Sequence, residues 1–463
     1  MTIAVLLANR GFFPSSVIDA AREEMSAALK KAGITPLFSP ADITKYGAVE
    51  TTLEGFAFRD FLEAHRGEYD GLIICLPNFG DENGIKAAIR DVTVPILLQA
   101  YPDEIGQMDF EHRRDSLCGK LALTSVLKQM GTKFTSFTPF VVHPSSEEFG
   151  CQLSKFAAIC RVVKRMKYVR LGAIGARTTA FKSVRFDEVA FEGHGIDVES
   201  LDLSSVLARM DKFTDDDPSV QEWIGKLHAV ADFGKAPDGK DLMLAKLGAT
   251  LVAIADEMKL DCLAIRCWSE LQEMRGISPC SVMGILNHEG LPAVCEMDVT
   301  NALPMLALAA ASGRSSGCLD WNNNYGADPD KCILFHCGPL PSELMTGPGE
   351  IQSHKMLDKS YGDGCSWGLN VGKIAPGEIS FSSLRTENGR LQYYVDKGEI
   401  TSDPVEDAFF GCPGVLHVPG LQDKLQHISE GGFRHHVIIT GGDVVDVIQE
   451  AFTKYLDYDR VTL

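Results

Sequence analysis

Two carboxylates two residues apart close an apolar run in Leu291-Pro-Ala-Val-Cys295-Glu296-Met297-Asp298, just before a second apolar stretch at residues 305–311 that reads as a helix. Asp298 has a structural explanation, because Asp followed by Val-Thr-Asn can cap a helix and acids are favourable at helix N-termini. Glu296 lies just inside the run, where an unpaired carboxylate is costly unless a cation compensates it. Asp320 repeats the situation between Ser315-Ser-Gly-Cys-Leu319 and Trp321-Asn-Asn-Asn-Tyr325. Two such acids invite a shared ion. Imidazoles follow at His336, in Cys332-Ile-Leu-Phe-His336-Cys-Gly338, and at His435-His436, in a run ending Val-Ile-Ile-Thr440. A lone histidine in an apolar strand is more often a hydrogen-bonded core residue than a ligand. A mixed set of carboxylates and imidazoles nevertheless suits a hard or borderline ion, Mn²⁺ or Mg²⁺, with open positions for substrate oxygens. Strand register decides whether His435 or His436 faces that ion, since a slip of one residue reverses every side chain. The adjacent Cys295, Cys318 and Cys337 read as small core residues.

The elements that must position these groups are legible in the periodicity. Apolar runs at residues 2–8, 35–38, 71–77 and 94–100 alternate with helical patterns at 16–31, 55–65 and 84–90, which is β-α-β logic for a parallel, doubly wound sheet with ligands at the strand carboxyl ends. A basic helix at 154–167 leads into Tyr168-Val-Arg-Leu-Gly-Ala-Ile-Gly175, the start of a second such unit, which continues through a long helix at 241–258 and the apolar residues 262–268. Gly172 and Gly175 read as a tight turn, because G-x-x-G is not a dinucleotide fingerprint. Beyond about residue 312, segments 377–385 and 389–398 alternate with period two around a glycine-containing connection, as antiparallel hairpins do. The expected architecture is therefore two doubly wound α/β domains, residues 1–160 and 161–312, followed by a β-rich, antiparallel barrel domain at 313–463.

At 463 residues, with 45% hydrophobic and 23% charged residues, the chain has ample core for several domains. Lys plus Arg number 44 and Asp plus Glu 63, a net charge of −19 that repels phosphate backbones and anionic lipid and excludes nucleic acid and membrane as partners. The 13 cysteines are odd in number and contain no C-x-x-C pair, against a disulfide framework or a zinc ribbon. The opening residues lack a basic n-region and a cleavage site, and no run approaches 18 apolar residues, so the expected location is cytoplasmic.

On these residues the chain resembles the L-fucose isomerase and L-arabinose isomerase superfamily of metal-dependent aldose-ketose isomerases, over nearly its whole length. Asn9-Arg10-Gly-Phe-Phe-Pro14 resembles the N-R-x-F-F-P start of the fucose isomerase-like branch. Glu296-Met-Asp298 is similar to the family's E-x-D, and Asp320 in Leu-Asp-Trp, 24 residues later, to its second metal carboxylate. His435-His436 resembles the H-H pair whose second member binds metal in the arabinose branch. His336 resembles the histidine which that branch adds, and residues 377–398 are similar to the family's C-terminal barrel segment. The resemblance implies that Glu296, Asp320 and His436 hold Mn²⁺, or another divalent ion such as Mg²⁺ or Co²⁺, with His336 a fourth ligand or a residue lining the sugar site. It also implies that Glu296 and Asp320 move the proton between C2 and C1 through a cis-enediol. The family's trimers and hexamers imply a homo-oligomer.

Trp321-Asn-Asn-Asn departs from both well-known branches, which leaves the sugar open among hexoses, deoxyhexoses and pentoses. Arg10, Arg177, Lys182, Arg266 and Arg434 exceed what a neutral deoxysugar requires, and with Trp321 and His435 they form the expected substrate-binding set. Arginine suits a phosphate, carboxylate or sulfonate. The expected substrate is accordingly a hexose with an anionic C6 group, such as sulfoquinovose, although pairing of these cations with surface acids accounts for them equally well. Two rivals share the fold: a non-catalytic sugar-binding or regulatory protein, and a metal-dependent epimerase that returns the proton to the other face of C2.

Overall fold

The apolar run after Met1 forms β1 (Thr2–Leu7), which joins β2 (Thr35–Phe38), β3 (Gly71–Leu76) and β4 (Ile96–Ala100) in an all-parallel sheet of order β2-β1-β3-β4. Successive side chains leave a strand on opposite faces. Ile3, Val5 and Leu7 therefore enter one core with Met25 and Phe156, while Ala4 and Leu6 enter a second with Phe58, Leu62 and Leu127. Helices Ile18–Lys31 and Glu147–Met166 supply the first cover, and Thr52–Ala64, Glu82–Ala88 and Ser116–Gln129 the second. Burial on both faces is why β1 and β3 read as apolar runs, and β4 does so apart from the buried Gln99, whose amide donates to the Val142 carbonyl. These elements belong to one compact unit, Met1–Lys164, which also takes in the late segment Glu450–Tyr455. There the Thr135 hydroxyl meets the Glu450 carboxylate at 2.8 Å and the Tyr455 hydroxyl at 2.9 Å. The structure, a computed structural model, describes residues 1–406 and 408–463.

The second unit comprises Arg165–Gln449 and Leu456–Leu463. Its strands begin with β5 (Val169–Ile174), β6 (Ile196–Leu201), β7 (Ala231–Asp232), β8 (Cys262–Ile265) and β9 (Ala293–Val294). Four of them make a second all-parallel sheet of order β6-β5-β8-β9. Gly175 ends β5 at φ +89°, and a Cβ there would lie 2.8 Å from Arg266 Cβ, so the turn and the close approach both require glycine.

The remaining strands are β10 (Ser316–Asn324), β11 (Lys331–His336), β12 (Gly349–Ser353), β13 (Trp367–Val371), β14 (Gly377–Glu387), β15 (Arg390–Thr401), β16 (Cys412–His417), β17 (His436–Gly441) and β18 (Asp459–Arg460). Strands β12 and β13 pair with β7 in a small sheet. In the large sheet, β14-β17-β10-β11-β16-β15 are antiparallel neighbours, and β15 pairs again with β14, so six strands form a closed cycle of pairings. Asn388 and Gly389, both at positive φ, make the two-residue β14–β15 turn whose twist suits a hairpin.

Helix Val299–Ser312 touches β5, β8 and β9 on one side and β10, β14 and β17 on the other. Burial all round matches its apolar composition. It begins six residues before the expected 305, with Pro304 inside it. The Asp298 cap and packing on both sides override the local cost of that proline. Among the described residues, no helix is long and apolar enough to cross a membrane, and all thirteen cysteines are free.

Candidate functional site

Strands β8 and β9 are neighbours, so their carboxyl ends deliver Trp268 and Glu296 to the same edge of the parallel sheet, where open α/β sheets bind ligands. Directly after β9, Glu296 and Met297 both adopt left-handed backbone at φ 60° and 59°. That conformation is uncommon without glycine and concentrates at functional sites. It turns the chain within two residues, from the strand to Asp298, the N-cap of the following helix. Trp268 Nε1 donates to Glu296 Oε1 at 3.2 Å, leaving Oε2 at 2.9 Å from His436 Nε2.

His436 opens β17 directly opposite Asp320 of β10, so the antiparallel register sets the two side by side. Its ring is fully buried, with Nδ1 2.7 Å from Asp298 Oδ2 and Nε2 3.6 Å from Asp320 Oδ1. Asp298, also fully buried, accepts from the Arg434 guanidinium, the Thr300 hydroxyl and Asn301 Nδ2. Burial alone would raise the Glu296 carboxyl, but its hydrogen bond to His436 and the nearby imidazoles hold it down at about 2. Burial likewise opposes ionisation of Asp298, and the Arg434 and His436 charges overcome it, holding that carboxyl below the usual range. Between the two acids, the His436 imidazole is raised well above its ordinary value in spite of burial.

One acceptor in this network has no donor. Asp320 Oδ1 is buried without a hydrogen-bond partner, a condition that is costly unless a cation lies against it. Ligand atoms of Glu296, His336 and His436 lie within 4.8 Å of one another, as do those of Asp320, His435 and His436. The oxygen-and-imidazole donor set and the orphan carboxylate oxygen fit a divalent ion.

A cavity of about 290 Å³ opens beside these groups, lined by Trp268, Cys295, Glu296, Asp320, Asn322 and His336, and closed by Cys337 and His354 among others. Burial pushes the Cys267 and Cys337 thiols well above their usual range, and a hydrogen bond shared with Cys318 together with burial does the same to Cys295. These thiols stay protonated at neutral pH.

The structure brings Glu296, Asp320, His336, His435 and His436 together, with His435 half-exposed and its Nε2 3.9 Å from Asp320. Within the second unit, none of Arg177, Lys182, Arg266 and Arg434 lines the cavity. Arg434 is buried on Asp298 and Thr300. Arg177 clasps the backbone carbonyls of Thr178 and Phe181, Arg266 pairs with Glu270 at 2.6 Å, and Lys182 is exposed. In the first unit, Arg10 pairs with Glu82 and stacks 4.1 Å over Phe79. Trp321 follows Asp320 on β10 and points to the opposite face, where its indole N–H meets the Tyr394 hydroxyl at 3.2 Å.

Sequence reasoning did not single out Trp268, His354 or the second role of Asp298. Trp268 had a signal, its place just past an apolar strand of a parallel sheet. His354 caps the short helix Lys355–Tyr361 and carries no periodic signature; burial lowers its imidazole below the ordinary value.

Comparison with known proteins covers both ends of the chain. Residues 4–167 match the fucose/sulfoquinovose isomerase N-terminal domain, and residues 334–462 match the L-fucose isomerase C-terminal domain. Glu296, Asp298 and Asp320 lie between the two matched stretches. A sulfoquinovose isomerase of Priestia aryabhattai is 22% identical over 344 residues, 73% of this chain and 74% of the relative. One of Alkalicoccus urumqiensis is 21% identical over 397 residues, 84% and 85% respectively. With its two terminal domains matched to fucose isomerase-type enzymes and such relatives along most of its length, the chain is an isomerase that belongs to the fucose isomerase-like family of sugar isomerases.

Proposed function

We propose that this isomerase converts an aldose to a ketose with the help of a divalent ion, Mn²⁺ first among the options, and that its substrate is a hexose with an anionic C6 group of the sulfoquinovose type. The observation that carries the metal reading is the buried, unpartnered Asp320 Oδ1 beside His436 and Glu296. Glu296, Asp320 and His436 would hold the ion. When bound, it would supply Lewis-acid stabilisation of the negative charge that develops on the sugar oxygens.

The chain's own groups supply the rest. Glu296 and Asp320 approach His436 Nε2 at 2.9 and 3.6 Å, and carboxylates placed in this way can take the proton from C2 and return it to C1. Trp268 fixes one oxygen of Glu296 and leaves the other beside His436 Nε2, at the edge of the cavity. Asp298 holds His436 through Nδ1, the carboxylate–histidine arrangement that orients a ligand ring. Buried walls of Cys280, Cys295 and Phe335 limit water at the proton-transfer pair. Support for the sulfonated substrate comes from the two relatives named sulfoquinovose isomerase. We further place the protein in the cytoplasm as a homo-oligomer, in keeping with the family resemblance.

The test is metal-stripped protein restored with Mn²⁺ and incubated in D₂O with neutral and C6-sulfonated aldoses and ketoses, followed by NMR. Mn²⁺-dependent ketose formation with the sulfonated aldose preferred supports the reading. Inversion at C2 without ketose would make it an epimerase, and neither ketose nor deuterium uptake would favour a sugar-binding protein.

A further inference from the structure

Two histidines, His336 and His354, line the cavity, a third, His436, is buried against its Glu296, and what faces each Nδ1 separates them. The Nδ1 of His436 faces the Asp298 carboxylate at 2.7 Å, so it must carry a proton, and Nε2 is the nitrogen left for a cation. His336 is the reverse. Its Nδ1 accepts the backbone N–H of Cys337 at 2.8 Å, which assigns the proton of the neutral ring to Nε2. That Nε2 lies 3.0 Å from Cys295 Sγ. His354 repeats the pattern: Nδ1 accepts the Leu357 N–H at 3.4 Å, and Nε2 lies 3.3 Å from Cys337 Sγ. Both rings are more than nine-tenths buried, and both line the cavity.

An imidazole N–H is a strong donor and a thiol sulfur a weak acceptor. Two strong donors resting on sulfur, in a cavity whose lining contains no lysine or arginine, are matched to an oxygen-rich ligand that arrives later. We infer that His336 and His354 form a neutral two-donor site for substrate oxygens, each turning its Nε2–H from sulfur to a sugar oxygen, and that His336 is therefore a substrate-binding residue and not a metal ligand. The identity of the ligand rests on the sugar-isomerase reading; the tautomers do not.

The test combines three readouts on the full chain: ¹⁵N shifts of labelled histidines with and without Mg²⁺, Mn²⁺ affinity by calorimetry, and KM against kcat on neutral and sulfonated sugars. Both rings are expected to show a protonated Nε2 that Mg²⁺ leaves in place. His336→Ala and His354→Ala should each raise KM about tenfold, with Mn²⁺ affinity within about twofold of the parent. Glutamine places an N–H₂ near the lost Nε2, so His336→Gln and His354→Gln should recover most of that loss. A larger loss on the sulfonated sugar than on the neutral one would assign the donor to the sulfonate, and an equal loss to a hydroxyl. A deprotonated Nε2 on His336 in the Mg²⁺ form, or a tenfold loss of Mn²⁺ affinity in His336→Ala, would overturn the inference. So would unchanged KM in both alanine variants of an enzyme that binds Mn²⁺ and turns over sugar. A parent protein that binds Mn²⁺ and no sugar would instead overturn the functional reading and, with it, the ligand named here.

Discussion

His436 and Asp320 stand directly opposite one another on neighbouring antiparallel strands, 3.6 Å apart, and the oxygen of Asp320 that faces the imidazole accepts no hydrogen bond. A register slip of one residue would place Val437 there and turn the imidazole to the other face. The six-strand cycle, which fixes that register on both sides of β10, is thus part of the site.

Neutralising either acid tests the proposed proton-transfer pair. Glu296→Gln and Asp320→Asn should each lower kcat/KM by about 10²–10⁴-fold, the usual contribution of a positioned acid or base. Deuterium incorporation at the substrate carbon should fall in parallel by NMR.

Divalent ion binding should be visible as stability. Saturating Mn²⁺ at about 100 times its Kd should add about 2.7 kcal/mol, read as a rise in Tm. The rise should vanish in His436→Ala and survive in Cys160→Ser, a thiol buried in the other unit.

Arg434 should behave as a structural cation. Arg434→Ala leaves Asp298 buried without its main counter-charge, and breaking such a pair costs about 3–5 kcal/mol, measurable by urea unfolding. Asp298→Asn should weaken ion affinity about 10–100-fold by freeing the His436 ring. An Arg434→Ala protein of full stability, with KM raised for sulfonated sugars alone, would contradict this assignment.

In the ion-free protein, acid should weaken the fold from the site outward. Glu296 titrates near 2 when folded against 4.5 as a free side chain, so its contribution, about 3 kcal/mol, is complete above about pH 4.5 and lost as pH falls toward 2. His436 has the opposite sign. Raised above 6.5, it contributes fully below that pH and loses its contribution only as pH climbs through its higher folded value. Unfolding free energy should therefore rise from pH 2 to 4.5 and show no loss from His436 across neutrality, by urea titration at stepped pH.

The parallel sheets and the hairpin were legible because burial on two faces leaves unbroken apolar runs and burial on one leaves alternation. Glu296 and Asp320 stood out because each interrupts an apolar run without a local partner. The basic residues did not sort themselves. Charge and composition cannot distinguish Arg434, consumed by Asp298 across the fold, from an arginine that waits for substrate. Trp321 and Asp320 are adjacent in sequence, yet strand alternation sends them to opposite faces. His354 was invisible because its role follows from a cap on a seven-residue helix.

The two left-handed residues after β9 tie the aim of Glu296 to the burial of its neighbour. Each non-glycine residue held there carries about 1–3 kcal/mol of backbone strain, and glycine would relieve it. Met297 is buried, however, and emptying such a place costs about 2–5 kcal/mol, more than the strain returned. Met297→Gly should accordingly be lost from a screen for thermal resistance, and directed evolution for robustness would keep the turn beside the proposed proton-transfer acid.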